Sequence, residues 1–247
     1  KNSTSQVSFK LEIHTYFMNI LITGTTKGIG KALILNYLHN TEAHIITINR
    51  SHPDFLDNLT DQEKRRITSI KLDLNDIDDN TDICRLIPEE RQSIDILVNN
   101  AGFLINKPIH DITKGDLEKS FTINVFAPFI LIRQLLPIIN KGAHIINIVS
   151  MGGVQGSSKY PGLSAYSSSK GALAILTECL AVELVENEIK VNAIAPGAVD
   201  TEMLRTAFPG YSAPVSADTI SEFIAHFSLN GHKVMNGKTV ELALSNP

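Results

Sequence analysis

Apolar runs of strand length alternate along this chain with amphipathic stretches of helix length. Runs such as residues 20–22 and 94–98 are apolar almost throughout, which is typical of strands buried on both faces. Because parallel strands are joined by long crossovers, the alternation predicts βαβ units with helices on both faces of a parallel sheet. The sequence therefore predicts an α/β fold with one doubly wound, seven-stranded parallel sheet.

The same pattern gives the expected positions of the elements. The predicted strands are residues 19–23, 44–49, 68–72, 94–98, 144–149, 190–195 and 239–242. Long helices are predicted at 28–38, 116–138 and 164–185, the second irregular at Pro128. A chain of 247 residues, 43% of them hydrophobic, suits one such domain. We expect that domain to span residues 18–247, and we expect the polar, patternless residues 1–17 before Met18 to be an N-terminal extension.

Composition excludes several kinds of partner. The net charge of -4 and the lack of a long basic block argue against nucleic acid. The most apolar stretch, 126–139, is interrupted by Arg133 and Pro137, so we expect no membrane-spanning helix and no membrane partner. The histidines and the two cysteines, Cys84 and Cys179, lack metal or redox spacing, so we expect no metal. Two unpaired thiols favour a reducing, cytoplasmic location.

A glycine-rich segment follows the first predicted strand and opens the first predicted helix. It has the pattern GxxxGxG, in which glycine allows a tight turn and a close backbone approach to a ligand. Free N–H groups at a helix start favour an anion, so the segment predicts a cradle for the diphosphate of a dinucleotide. A glycine turn that serves only helix packing is the alternative. The segment consists of Gly24, Thr25, Thr26, Lys27, Gly28, Ile29 and Gly30.

The end of the second strand bears on the choice of cofactor. An NAD-binding Rossmann-type unit usually has a carboxylate there for the ribose hydroxyls. Here the strand ends at Asn49 and Arg50, with no carboxylate at its tip. Arg50 and Lys27 together suit a ribose 2′-phosphate, so NADP(H) is favoured over NAD(H). Two solvated surface cations are the alternative.

A tyrosine and a lysine spaced by four residues begin a later predicted helix. Tyr166 and Lys170 lie on one face of that helix, and Ser150 follows the fifth strand. In a parallel sheet these elements meet at the carboxyl-end crevice, where ligands bind. A lysine ammonium at about 4 Å, with an effective dielectric near 20, contributes about 4 kcal/mol. We therefore expect Lys170 to lower the pKa of Tyr166 from its usual value of about 10.

Taken in order, these segments resemble the short-chain dehydrogenase/reductase family, and within it the 3-oxoacyl-carrier-protein reductase type. The resemblance runs from Met18 to about Thr201 and includes Asn99-Asn100-Ala101-Gly102 and Pro196-Gly197. It implies the catalytic residues Asn124, Ser150, Tyr166 and Lys170. It also implies that the cofactor contacts are Gly24, Thr25, Thr26, Lys27, Gly28, Ile29, Gly30, Asn49, Arg50, Asp73, Leu74, Asn100, Ala101, Gly102, Tyr166, Lys170, Pro196, Gly197, Val199 and Thr201.

By this resemblance, the expected activity is hydride transfer between nicotinamide and a small-molecule carbonyl or secondary alcohol, with Tyr166 as general acid/base. An NAD-linked alcohol dehydrogenase and a non-catalytic nucleotide-binding sensor are the alternatives. The resemblance also implies a homodimer or homotetramer.

Two segments depart from the family pattern. The loop 156–162 is longer than usual and is expected to border the substrate, with Tyr160 as a possible decoy for the catalytic tyrosine. The substrate loop 201–217 is short.

Overall fold

A seven-stranded, wholly parallel sheet forms the centre of the protein, which is represented by a computed structural model that describes residues 18–244. The predicted α/β fold with seven parallel strands is confirmed, whereas the predicted extension 1–17 lies outside the described residues. The strands of this sheet are β1 (Asn19–Thr23), β2 (His44–Asn49), β3 (Ile67–Lys71), β4 (Ile94–Asn99), β5 (Ile139–Ile148), β6 (Lys190–Pro196) and β9 (Thr239–Leu242). Two short strands, β7 (Val199–Asp200) and β8 (Val215–Ser216), form a separate parallel pair.

The order of strands across the sheet is β3-β2-β1-β4-β5-β6-β9. The chain winds outward from β1 to β3, and then returns to the other side of β1 with β4. Such a reversal opens a crevice at the carboxyl ends of β1 and β4, which is where ligands bind in open α/β sheets.

Helices cover both faces of the sheet. They are α1 (Gly28–Asn40), α2 (Asp61–Arg65), α3 (Lys114–Phe121), α4 (Ala127–Leu135), α5 (Ser164–Glu183), α6 (Glu202–Ala207) and α7 (Ala217–Asn230). Successive strand residues point to opposite faces, so Ile20 packs with residues of α1 and α7, while Leu21 packs with residues of α4 and α5. The apolar strands are therefore buried on both sides, as their composition predicts.

The predicted helix 116–138 is a composite segment in the structure. Helix α3 leads into a π-helical turn, Thr122–Phe126, and α4 continues into a short 3-10 turn. The whole helical segment Lys114–Ile138 is long and apolar enough to cross a membrane by length and composition alone. Its inner side, however, packs in the core through Leu131 and Leu135, so these properties are weak evidence of a membrane helix.

Candidate active site

A cavity of about 870 Å³ opens at the carboxyl ends of the strands, on the crevice between β1 and β4. It extends from the end of β2, past the glycine loop, to the end of β6. Of the predicted site residues, those that line it are Gly24, Thr26, Lys27, Gly28, Ile29, Asn49, Arg50, Asp73, Leu74, Asn100, Ala101, Gly102, Ser150, Tyr166, Lys170, Pro196, Gly197, Val199 and Thr201. The topology thus brings together residues that are far apart in the sequence.

The glycine loop forms one wall of this cavity. Gly24 has a positive φ of 69°, and a Cβ there would lie 2.6 Å from the Cα of Ala101. A Cβ on Gly30 would overlap the carbonyl oxygen of Gly24 and the Asn100 side chain. The loop therefore needs glycine for close packing, and it also presents backbone at the start of α1, as a diphosphate cradle requires. The residues fit a dinucleotide.

Thr25, a predicted cofactor contact, is fully buried and is absent from the cavity lining described for residues 18–244. Its backbone N–H donates to Asn49 Oδ1 at 2.6 Å, and Asn49 Nδ2 donates to its hydroxyl at 2.8 Å. Asn49 is itself 4% exposed. The Asn49 amide therefore holds the glycine loop in place through its hydrogen bonds with Thr25. Gly30 also lies outside the described lining and serves packing.

Asn100 joins the segment after β4 to the glycine loop. Its Nδ2 donates to the carbonyl oxygens of Thr23 and Gly24, at 3.0 and 2.8 Å. The Thr23 hydroxyl accepts from the N–H groups of Asn100 and Ala101. These bonds hold the two cavity-lining segments in a fixed relation across the crevice between β1 and β4.

Ser150, Tyr166 and Lys170 meet beyond the end of β5. The hydroxyls of Ser150 and Tyr166 are hydrogen-bonded, and Ser150 Oγ accepts from the N–H of Gly152 at 3.2 Å. Lys170 is 3% exposed, and its Nζ donates to the carbonyl oxygen of Ile148 at 2.7 Å. A serine hydroxyl and a phenol that share a hydrogen bond can both reach one substrate oxygen.

The acid–base properties of this group differ from the sequence expectation. Burial raises the pKa of Tyr166, while the hydrogen bond to Ser150 acts in the opposite direction. Burial lowers the pKa of Lys170 to about 8. The expected net lowering of the Tyr166 pKa by Lys170 is not found in this structure, because burial dominates at Tyr166.

Asn124 lies in the π-helical turn, is fully buried, and is absent from the lining described for residues 18–244. Its Oδ1 accepts from the N–H of Phe103 at 2.8 Å, and its Nδ2 donates to the Phe103 carbonyl at 2.8 Å and to Ser169 Oγ at 2.9 Å. A Cβ on Gly102 would lie 3.4 Å from both Asn124 Oδ1 and Lys170 Nζ. The Asn124 side chain therefore ties the loop after β4 to α5 close to the lysine.

Helix α6 supplies a wall that the sequence analysis did not predict. Glu202, the first residue of α6, accepts a hydrogen bond from Lys27 Nζ at 2.6 Å. The Lys27 ammonium is therefore already paired with another residue of the cavity lining. The loop 156–162, by contrast, is absent from the lining described for residues 18–244. The loop instead contacts residues 106 and 107, which do line the cavity, and its expected place beside the substrate stays a prediction. The unpredicted lining residues near this wall are Phe103, Leu104, Ile105, Asn106, Lys107, Glu202, Met203, Leu204, Thr206 and Ala207.

This sheet order, combined with a glycine cradle and with Ser150, Tyr166 and Lys170 at the same edge, is typical of dinucleotide-dependent oxidoreductases. A family model described as short chain dehydrogenase matches residues 18–212. The chain belongs to this family of oxidoreductases, which act on CH–OH and C=O groups and use NAD or NADP.

Several relatives cover most of the chain. It is 29% identical over 222 residues to an NADP-dependent 3-hydroxy acid dehydrogenase of Schizosaccharomyces pombe, covering 83% of this chain and 84% of that protein. It is 33% identical over 198 residues to carbonyl reductase [NADPH] 2 of Sus scrofa, covering 76% and 75%.

Solved structures agree with the fold. The structure of 4-hydroxyisoleucine dehydrogenase complexed with NADH has a TM-score of 0.79 at 26% identity, covering 91% of this chain and 96% of that one. ElxO with NADP bound has a TM-score of 0.79 at 25% identity, covering 92% and 97%. The relatives therefore include proteins bound to either dinucleotide.

Proposed function

We propose that this protein is an NADP(H)-dependent carbonyl reductase in which Tyr166 is the general acid/base. The observation that carries the proposal is the hydrogen-bonded pair of Ser150 and Tyr166, which lies in the same cavity as the glycine cradle. The bound nicotinamide dinucleotide supplies or accepts the hydride. The reacting carbonyl oxygen takes the place between the two hydroxyls.

The four predicted catalytic residues have different roles in this proposal. Ser150 holds the substrate oxygen by a hydrogen bond, and Tyr166 transfers a proton to that oxygen. Burial raises the pKa of Tyr166, so the phenol is protonated at physiological pH and holds the proton that carbonyl reduction requires. Lys170 keeps a positive charge beside the reacting atoms below about pH 8, and Asn124 holds the adjoining loop and helix in place.

The preference for NADP(H) rests on the end of β2. Arg50 is exposed and lines the cavity, next to a strand tip without a carboxylate. Lys27, the second expected phosphate contact, is paired with Glu202, so it reaches a 2′-phosphate only if that ion pair opens. The NADPH or NADP named for the relatives supports this preference. An NAD-linked alcohol dehydrogenase remains the alternative, since another similar structure holds NADH.

We further propose that residues 18–247 form one domain with the short substrate loop 201–217, and that two or four copies associate. Apolar side chains are exposed on α5 and at α4, which suits contact with a second copy. Those side chains are Phe126, Phe129, Ile175 and Val182. The two free thiols support a cytoplasmic location. Sedimentation equilibrium tests the assembly, and a monomer at micromolar concentration contradicts it.

The first experiment is NADPH and NADH consumption by the purified protein on ketones, aldehydes and 3-oxoacyl thioesters. We expect oxidation of NADPH, with a preference measured as the ratio of kcat/KM for the two cofactors. Tyr166→Phe should abolish turnover while it retains cofactor binding, since the phenyl ring fills the same space without a proton to give. Tyr160→Phe is the matched control and should keep its activity, because Tyr160 lies outside the described lining.

Tight cofactor binding without turnover on any carbonyl would instead favour the nucleotide-binding sensor. Equal activity of Tyr166→Phe and the wild type would contradict the role given to Tyr166.

A further inference from the structure

Helix α6 forms one wall of the cavity, yet none of its side chains is buried. A helix of six residues without a buried face has little hydrophobic stabilisation and depends on its end contacts. Among the hydrogen bonds of residues 18–244, the Arg205–Asp200 ion pair joins this helix to β7 nearby in the sequence, and two further bonds join it to distant parts of the chain. Lys27 donates to Glu202 at its first turn, and Asn106 Nδ2 donates to the carbonyl oxygen of Ala207, its last residue, at 2.8 Å.

Asn106 also contacts the long loop before α5. The N–H of Lys107 donates to the carbonyl oxygen of Gly162 at 3.0 Å, which fixes the loop against this segment. Gly162 has a φ of 86°, and a Cβ there would overlap Asn106 Oδ1. Gly162 thus packs directly behind the Asn106 amide. The loop is outside the described lining, and this contact links it to a residue that lines the cavity.

The segment around Asn106 and helix α6 together contribute four large apolar side chains to the cavity lining: Leu104, Ile105, Met203 and Leu204. Lys107, the nearest cation in sequence, is paired with Asp116 at 2.9 Å. This environment suits an uncharged, apolar group attached to the reacting carbonyl. The position of α6 then decides how much room that group has.

We propose that Asn106 is a specificity-determining residue: it holds the end of α6 against the substrate side of the cavity and so limits the length of the aliphatic carbonyl compound that is accepted. The inference rests on the proposed function, which supplies the carbonyl substrate. The anchoring of α6 itself does not depend on catalysis. Two sets of measurements therefore separate the anchor from its effect on substrate choice.

The first measurement is hydrogen exchange of the peptide that contains α6, in the cofactor-free protein. Asn106→Ala removes the hydrogen bond to Ala207, and a net neutral hydrogen bond corresponds to about fivefold in an opening equilibrium. We expect the α6 amides to exchange about fivefold faster. Asn40→Ala is the matched control, because Asn40 is exposed and its amide donates to a backbone carbonyl far from the cavity, at 3.0 Å. Unchanged exchange of α6 in Asn106→Ala overturns the anchor.

A second pair of variants approaches the same contact from behind. Gly162→Ala places a methyl group against Asn106 Oδ1 and should also speed the exchange of α6. Gly156→Ala is its control: Gly156 lies in the same loop with a φ of 83°, but a Cβ there meets nothing within 4 Å. Both substitutions strain the backbone equally, so a difference between them reports the contact with Asn106. Equal effects of the two variants contradict it.

The other measurement, which tests substrate choice, is kcat/KM with NADPH for a series of methyl ketones of increasing chain length. For the wild type we expect kcat/KM to fall sharply beyond a certain ketone chain length. For Asn106→Ala we expect that fall in kcat/KM to be several-fold smaller, with the NADPH Kd unchanged. An unchanged length profile in a variant whose α6 exchanges faster overturns the specificity role. Absence of turnover in the wild type contradicts the proposed function and the specificity role with it, while hydrogen exchange still tells whether the anchor exists.

Discussion

Asn49 and Arg50 are neighbours at the end of β2, but they serve different parts of the site. The Asn49 side chain points inward and is hydrogen-bonded to Thr25 and Thr47, whereas Arg50 is exposed and lines the cavity. The alternation of side chains along an extended strand produces this division. Single residues therefore determine whether the strand tip supports the loop or meets a ligand.

We expect Arg50→Ala to raise the Kd of NADPH by about 10- to 100-fold, the range of a lost charge-assisted hydrogen bond. The Kd of NADH should change little, because NADH has no 2′-phosphate. Arg85→Ala is the control, since Arg85 is exposed and paired with Asp82 away from the cavity. Fluorescence titration with both cofactors measures the effect. Equal weakening of NADPH and NADH would remove the role assigned to Arg50.

At the scale of elements, three buried polar side chains join the helix that contains the π-helical turn to α5. Ser169 Oγ accepts from Asn124 Nδ2 at 2.9 Å and donates to the Tyr166 carbonyl at 2.8 Å. The Ser120 hydroxyl lies 3.2 Å from Ser169 Oγ. These side chains lie next to the Phe103 backbone that Asn124 also binds. The orientation of α5, and with it the direction of Tyr166, depends on this cluster.

Ser169→Ala should lower both the unfolding free energy, by about 1–2 kcal/mol, and kcat, because the Asn124 amide loses a buried partner. Ser168→Ala is the matched control: Ser168 is exposed on the same turn, and within residues 18–244 its hydroxyl donates to the carbonyl of Ala165. Urea unfolding and kcat at saturating substrate measure the two effects. A kcat equal to that of the control would leave Ser169 with a purely structural role.

The sequence predicts the long buried elements well, because their hydrophobic periodicity reflects burial directly. The first and last strands of the large sheet lie where the pattern places them. Strand β5 begins five residues before its predicted start, since Ile139 pairs with Ile94 at an irregular register that apolarity alone does not reveal. Helix α6 and the β7–β8 pair are too short to show any period.

The predicted site residues follow the order of motifs, and most of them line one cavity. Asn106 and Glu202 were missed for a different reason. Their partners Ala207 and Lys27 are 101 and 175 residues away in the sequence, so only the folded chain brings them together. The signal available in the sequence was their place after β4 and β6, at the carboxyl end of the sheet.

For the whole molecule, a histidine buried in the middle of β5 links stability to pH. His144 Nδ1 is hydrogen-bonded to the carbonyl oxygen of Ser228, so Nδ1 carries the proton, and Nε2 accepts from Asn192 Nδ2. Burial lowers the pKa of His144 to about 4. A second proton on the ring would break the bond from Asn192, so the fold holds the neutral form.

Stability should therefore fall on acidification. The unfolded chain binds a proton at His144 below about pH 6.5, whereas the folded protein binds it only near pH 4, so the unfolding free energy drops as the pH falls through this window. Across this window His144 should lower the unfolding free energy by about 3 kcal/mol. His144→Gln should flatten the pH dependence measured by urea unfolding, and exposed His110→Gln should not. Part of the slope should persist, since burial also lowers the pKa of His44 to about 4.

The order of strands also has a consequence for how the chain is made. Strand β1 is synthesised before the other six strands of the large sheet, yet it lies in the middle of that sheet between β2 and β4. Its partner β4 is synthesised about 75 residues later, which takes roughly 4–15 s at ordinary translation rates. During that interval one edge of a strand with an apolar centre, residues 20–22, has no neighbour, so the nascent chain is most vulnerable to aggregation before β4 emerges.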